Sequence, residues 1–195
     1  MYDFIFLKGD IMVKEKDVQP IRSLEEIHRM KDSLLRYCSY RDYFLFVFGI
    51  NVGLRVTDIL PLKVEDIRGK THIRIKEQKT GKFRTIYVNE YLREEIDKYT
   101  KPMKPNDFLF PSRKGNSYIT PTQAYRTLQK GAEMADIENV GCRTLRKTFG
   151  YHHYKRHKDI AILQEIFSHS SPSITKRYIG ITRDEIENTL KEFSL

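Results

Sequence analysis

Arg143 and Arg146 stand three residues apart, His169 follows, and Tyr178 comes nine residues after it. Together these groups suit phosphate chemistry. Two guanidiniums one helical turn apart can clamp nonbridging phosphate oxygens with paired hydrogen bonds. A tyrosine hydroxyl, with an ordinary pKa near about 10, is a weak nucleophile unaided. Among guanidiniums it can attack a phosphodiester and leave a covalent phosphotyrosine. Singly, the arginines read as a solvated basic helix (Lys147, Lys155, Arg156 and Lys158 are close by), and the histidine as a cap. Order and spacing carry the signal.

Further candidates lie upstream. Arg55 follows a very apolar segment, and Asp58, three residues on, could fix its orientation. Lys79 sits in Lys79-Thr-Gly-Lys82. That run is no phosphate loop, because the leading glycine of a Walker A is missing and a strand follows where a helix is needed. His153 and His157, four apart, lack the glutamate of a zinc-binding HExxH, Tyr154 standing in its place, so no metal is expected.

The elements that must position these groups are mostly helices. Ser23 and Glu26 form a capping-box pattern, and Leu24, Ile27, Met30 and Leu34 recur at helical spacing over 24–38. A second helix over 41–52 is apolar nearly all round and marks the hydrophobic centre; Gly53 ends it. Thr57 is read as the cap of a short helix carrying Asp58, limited by Pro61. Ile73 and Ile75 alternate with polar residues, predicting a strand from His72 to Gln78. Phe83 to Val88 returns as its hairpin partner, with lysines at the tip.

Asn89 caps a helix to about Lys98, residues 100–120 form the longest loop, and Thr120-Pro121 opens a helix to about Met134. Helices follow over 143–157, 160–167 and 173–179. Thr182 to Glu185 reads as a last capping box, before a helix with Ile186, Leu190 and Phe193 on one face.

The chain has 195 residues, enough for one packed domain, and carries a formal charge of +9, which favours a polyanionic partner, nucleic acid before membrane. The longest apolar run, Phe44 to Gly53, is too short to span a bilayer. Cys38 and Cys142 form no framework, so a reduced, cytoplasmic compartment is the default.

In the order and spacing of its boxes the chain resembles the catalytic domain of the tyrosine recombinase (phage integrase) family. Gly53-Leu-Arg55-Val-Thr-Asp58 matches the first arginine box, and Lys79 falls where that family has its catalytic lysine. Leu145-Arg146-Lys147-Thr148 matches the second box, and Phe167-Ser-His169-Ser-Ser171 the histidine segment before the tyrosine. The resemblance implies a mainly helical α+β catalytic domain with a small antiparallel sheet. It would span 20–181, after a tail at 1–19 and before a C-terminal helix at 182–195.

By resemblance, Tyr178 would attack a phosphodiester of double-stranded DNA to give a 3′-phosphotyrosine. Arg55 and Arg146 would neutralise the phosphorane, His169 would hydrogen-bond a nonbridging oxygen, and Lys79 would protonate the leaving 5′-oxygen. No cofactor is implied. Lys82, Arg84, Lys147, Lys176 and Arg177 are expected to contact DNA. The last helix would dock either on a neighbouring protomer, in a tetramer on DNA, or on its own domain. The setting would be bacterial or phage-encoded, cytoplasmic and nucleoid-associated, with no membrane.

The sequence departs from the pattern in two places. The second box ordinarily begins with histidine, as H-x-x-R, and here that position is Arg143. Arginine can donate to phosphate but cannot shuttle a proton near neutral pH, so cleavage is expected to be slowed or lost. Only about twenty residues precede the first helix, where family members usually carry a core-binding domain. A catalytic fragment or a naturally short protein is expected, binding DNA weakly and with strong salt dependence. The alternative is a non-cleaving DNA-binding regulator on the same fold. A type IB topoisomerase uses similar chemistry, but the hairpin and box spacing are closer to integrases.

Overall fold

The computed structural model describes residues 18–113, 115–191 and 193–194, with backbone alone at 183 and 189. Helix α1 (Leu24–Tyr37) opens on a reciprocal cap: the Ser23 hydroxyl accepts from the Glu26 amide at 3.0 Å, and the Glu26 carboxylate accepts from the Ser23 amide at 3.2 Å. It buries Ile27, Met30 and Leu34. Helix α2 (Tyr40–Val52) runs through the middle of the core, with Phe44 through Gly49 all buried. Such a helix gains its stability from apolar contact on every face, not from amphipathic patterning.

Gly53 ends α2 with φ at +64°, and a Cβ there would lie 2.4 Å from the Phe149 ring. Only glycine satisfies both the left-handed turn and that close approach. Two short helices follow, α3 (Val56–Ile59) and α4 (Val64–Ile67). The cap of α3 is Arg55, which makes no side-chain capping bond. Thr57, expected to cap it, lies inside the helix instead. Helix α4 was not expected; at four residues it is too short to show periodicity, and the Asp66 carboxylate holds its entry by accepting from the Lys63 amide at 2.7 Å.

Strands β1 (His72–Lys76) and β2 (Phe83–Tyr87) pair antiparallel, with Ile73 opposite Ile86 and Ile75 opposite Arg84. Ile73 and Ile75 are buried. Helix α5 (Glu90–Thr100) follows Asn89, whose side chain accepts from the Leu92 amide at 2.8 Å. The long loop is tied down by backbone bridges from Lys63 to Phe108 and from Pro111 to Tyr118. Helix α6 (Pro121–Met134) starts on the expected Thr120 cap.

Helices α7 (Cys142–His157), α8 (Ile160–Phe167), α9 (Pro172–Ile179) and α10 (Ile181–Lys191) complete the chain. Helix α10 begins directly after Gly180, which is left-handed, so Thr182 is within the helix and is not its cap. Phe193 follows the helix. Of the segment expected as a tail, residues 1–17 lie outside the description, whereas Val18 is buried and the Gln19 amide donates to Asn139 O at 2.9 Å. The buried apolar side chains form one large cluster around α2 and a smaller one of Tyr151, Leu163, Phe167, Ile179 and Ile181 beneath α7 to α10.

No helix among the described residues is long and apolar enough to cross a membrane. The α2 turn is the tightest test of this packing. Gly53→Ala is expected to destabilise the protein by about 2 kcal/mol or more, from a left-handed alanine plus overpacking against Phe149. An unchanged urea midpoint for that variant would refute the close-packed turn.

Candidate active site

Arg146 is the most constrained charged group in the molecule's centre. It lies on the second turn of α7 and is 3% exposed. One guanidinium nitrogen donates to Gly53 O at 2.7 Å, the other to Phe167 O at 2.9 Å. The group lies over the Phe167 ring, 4.3 Å from its centroid. Both carbonyls sit at helix C-termini, where backbone partial charge is negative. Burial lowers its pKa to about 10, with the Arg55 and Arg84 charges also lowering it and Tyr178 and Glu77 opposing, so it remains cationic at neutral pH.

Arg55 reaches the same region from the start of α3. It is half-buried, with one nitrogen 3.4 Å from Glu77 Oε1 and 3.8 Å from Asp58 Oδ2. Asp58 is fully buried and its other oxygen accepts from the Gln78 amide at 2.8 Å. Asp58 thereby ties the first arginine to the end of β1. Glu77 is 2% exposed. Burial pulls its pKa upward, but the Thr80 hydroxyl and the Arg84, Arg55 and Arg146 charges outweigh this and hold it below the usual glutamate value.

His169 follows α8, where Ser168 turns left-handed and the His169 amide donates to Gln164 O at 3.0 Å. Its ring packs 5.3 Å from Phe167 and 5.1 Å from Tyr178, centroid to centroid. Nδ1 lies 3.1 Å from the Thr175 hydroxyl, which donates to Ser171 O at 3.2 Å. Burial, then the Arg146 and Arg55 charges, pull its pKa down to about 4. The ring is therefore neutral near pH 7 and carries one N–H. With the Thr175 proton on Ser171 O, Nδ1–H donates to Thr175 and Nε2 accepts; a turn of that hydroxyl toward Nδ1 leaves the ring proton on Nε2, able to donate to a phosphate oxygen.

Tyr178, on α9, is half-buried, with its ring edge-to-face against Phe167 at 5.6 Å and His169 at 5.1 Å. It lies close enough to Arg146 to influence that group's charge. One chain therefore brings Arg55, Arg146, His169 and Tyr178 together. Lys79 is exposed on the β1–β2 turn, which Glu77 closes by donating its amide to Lys82 O and accepting from the Gly81 amide. Arg143 is half-buried on the first turn of α7, one turn before Arg146.

The expected DNA contacts divide. Lys82 and Arg177 are exposed. Lys147 donates to Val18 O and lies 5.6 Å from the Tyr178 ring centroid; Lys176 pairs with Glu185 at 3.1 Å. Arg84 turns inward, 3.4 Å from Glu77, donating to Ile166 O and, at 2.7 Å, to the Ser168 hydroxyl. A buried carboxylate and the carbonyls at the end of α8, where backbone partial charge is negative, attract it more than solvent does. Glu77 and Thr175 escaped sequence reading. Glu77 continues the inward alternation of Ile73 and Ile75, a signal visible in the pattern but discounted for a charged residue.

The neutral His169 has a consequence for stability. Its folded pKa lies below the ordinary value near about 6.5, so the unfolded chain takes up its proton first as pH falls. That contribution is complete above the ordinary value and is lost as pH drops through it toward 4. His169→Gln is expected to shrink the fall in urea midpoint between about pH 7 and about pH 5. Parallel pH profiles for variant and wild type would contradict this.

The sequence profile of the Phage integrase family matches residues 23–185. A probable integrase/recombinase, YoeC, of Bacillus subtilis (strain 168) is 53% identical over 176 residues, covering 90% of this chain and 97% of that protein. The tyrosine recombinase XerA of Pyrococcus horikoshii is 29% identical, over 80% of this chain and 55% of its own length. In fold, the XerH site-specific recombinase bound to its palindromic difH substrate matches 95% of this chain and 57% of that one, at TM-score 0.71 and 21% identity. This chain thus spans nearly the whole of YoeC but little more than half of the XerA and XerH proteins. The fold is that of a tyrosine recombinase catalytic domain, and the chain belongs to the phage integrase family.

Proposed function

We propose that this tyrosine-type site-specific recombinase cuts and rejoins double-stranded DNA through a 3′-phosphotyrosine on Tyr178. The observation that carries this reading is the convergence of Arg55, Arg146 and His169, from three separate segments, around a tyrosine of the same chain. The Tyr178 hydroxyl loses its proton to solvent as its oxygen attacks phosphorus, the bond to the 5′-oxygen breaks, and Lys79 supplies the proton which that oxygen takes up. Arg55 and Arg146 offset the charge gathering on the nonbridging oxygens, in a site whose fixed donors need little reorganisation. The neutral His169 contributes one hydrogen bond. A 5′-hydroxyl from a second strand reverses the step, and since the phosphotyrosine conserves the bond energy, no nucleotide is consumed.

Arg143 supports phosphate binding but withholds proton transfer. Trapping on a nicked duplex that loses its cleaved fragment tests both points. Tyr178→Phe should give no covalent adduct, and Arg143→His should form it on the order of 100-fold or more faster than the wild type, within the range of a general acid–base contribution. Equal trapping by wild type and Arg143→His would refute the Arg143 assignment. Tight DNA binding with no adduct from either protein would favour the non-cleaving regulator.

Self-association through α10 is the second part of the proposal. Its first turn is held to its own domain by buried Ile181, by Arg22 to Asp184 at 3.2 Å, and by Lys176 and Tyr154 to Glu185. Beyond that turn Ile186, Leu190 and Phe193 are 55%, 64% and 65% exposed. A row of apolar side chains left in water suits docking on a neighbouring protomer, in a tetramer on DNA. Association with chromosomal DNA, and so with the nucleoid, follows from the same reading. Light scattering in the presence of DNA should give a smaller species for Leu190→Lys than for the wild type; identical masses would count against docking.

A further inference from the structure

We propose that the ion pair of buried Glu77 with Arg84 is a positioning device that locks the Lys79 turn in register with Arg55 and the His169 corner. Resting on the recombinase reading above, it assigns work to two residues outside the five expected to act on the phosphate.

Glu77 divides its two oxygens. Oε2 accepts from the Thr80 hydroxyl at 2.7 Å, inside the turn that carries Lys79. The Glu77 backbone closes the same turn, donating to Lys82 O at 2.9 Å and accepting from the Gly81 amide at 2.8 Å. Oε1 lies 3.4 Å from Arg55 and 3.4 Å from Arg84 Nε. Arg84 extends the link by donating to Ile166 O and to the Ser168 hydroxyl, next to His169. One carboxylate thus joins the lysine turn, the first arginine and the histidine corner, which lie far apart in sequence.

The arrangement also has a catalytic logic. A buried ion pair contributes little net stability compared with packed apolar side chains. Here it supplies an anion among Arg55, Arg84 and Arg146 when no phosphate is present. Arg55 Nη1 and Glu77 Oε1 are both buried without a hydrogen-bond partner. Charge alone holds that nitrogen, between the Glu77 and Asp58 carboxylates. The turn, by contrast, is held by short directional hydrogen bonds, as the placement of a proton donor demands.

Replacing the scissile 5′-bridging oxygen by sulfur separates these roles. A thiolate, with a conjugate-acid pKa near about 8.5, leaves without being protonated, so it needs no positioned lysine. Adduct formation would be followed on oxygen- and sulfur-bridged nicked duplexes for the wild type, Glu77→Gln and Thr80→Val, with duplex affinity measured alongside. On the oxygen substrate, Glu77→Gln should slow by on the order of 100-fold, the lower end of what general acid catalysis contributes, and Thr80→Val by about 10-fold, a partial loss of it. On the sulfur substrate at least tenfold of the Glu77→Gln loss and most of the Thr80→Val loss should be regained, with affinity undiminished.

Thr80 is exposed on the turn, so Thr80→Val decides the matter if Glu77→Gln does not fold. Defects equal on both substrates, or absent from both variants while the wild type cleaves, overturn the positioning role alone. A wild type that forms no adduct on either substrate overturns the recombinase reading and this role with it.

Discussion

The structure depends on one buried cation. Arg146 is enclosed by the core, and its guanidinium is held by the carbonyls that end α2 and α8 and by the face of Phe167. A charge buried to this degree is tolerable only when hydrogen-bonded and surrounded by negative partial charge. Meeting that demand fixes where α2 stops, how closely Phe149 approaches Gly53, and where the turn before His169 lies. The group that fits a phosphate is thus also the group around which two helix ends are arranged.

Positive charge then has to be balanced outward from this point. Arg55 and Arg84 crowd the same volume, and Asp58 and Glu77 offset them from the hairpin side. The same field, with burial, strips His169 of its proton and leaves a neutral ring beside Tyr178. The site is therefore electropositive without an ionised histidine. On the proposed reading, a phosphodiester entering it would meet prearranged donors, which is where most electrostatic catalysis originates.

Much of the helical order was legible in the chain. Ser23, Asn89 and Thr120 all cap where their local patterns indicate, because capping is settled within one turn of backbone. Thr57 and Thr182 failed as caps for a different reason. Left-handed glycines at 53 and 180 turned the chain into the next helix within a residue or two, before either threonine could serve. The four-residue α4 was invisible because a single turn has no period.

Residue types and spacing determined the chemistry available: two arginine boxes, a lysine turn, a histidine and a tyrosine in a set order. They also determined the amphipathic faces, including the apolar row on α10. Tertiary structure alone decided which charges meet. Arg84 reads as a surface residue of a hairpin, yet it bonds to the end of α8, more than eighty residues away. Glu77 reads as a solvated strand end, yet it is buried between guanidiniums. Local sequence encodes periodicity and caps. The fate of a charged side chain rests instead on the carbonyls and counter-charges that distant segments bring to it.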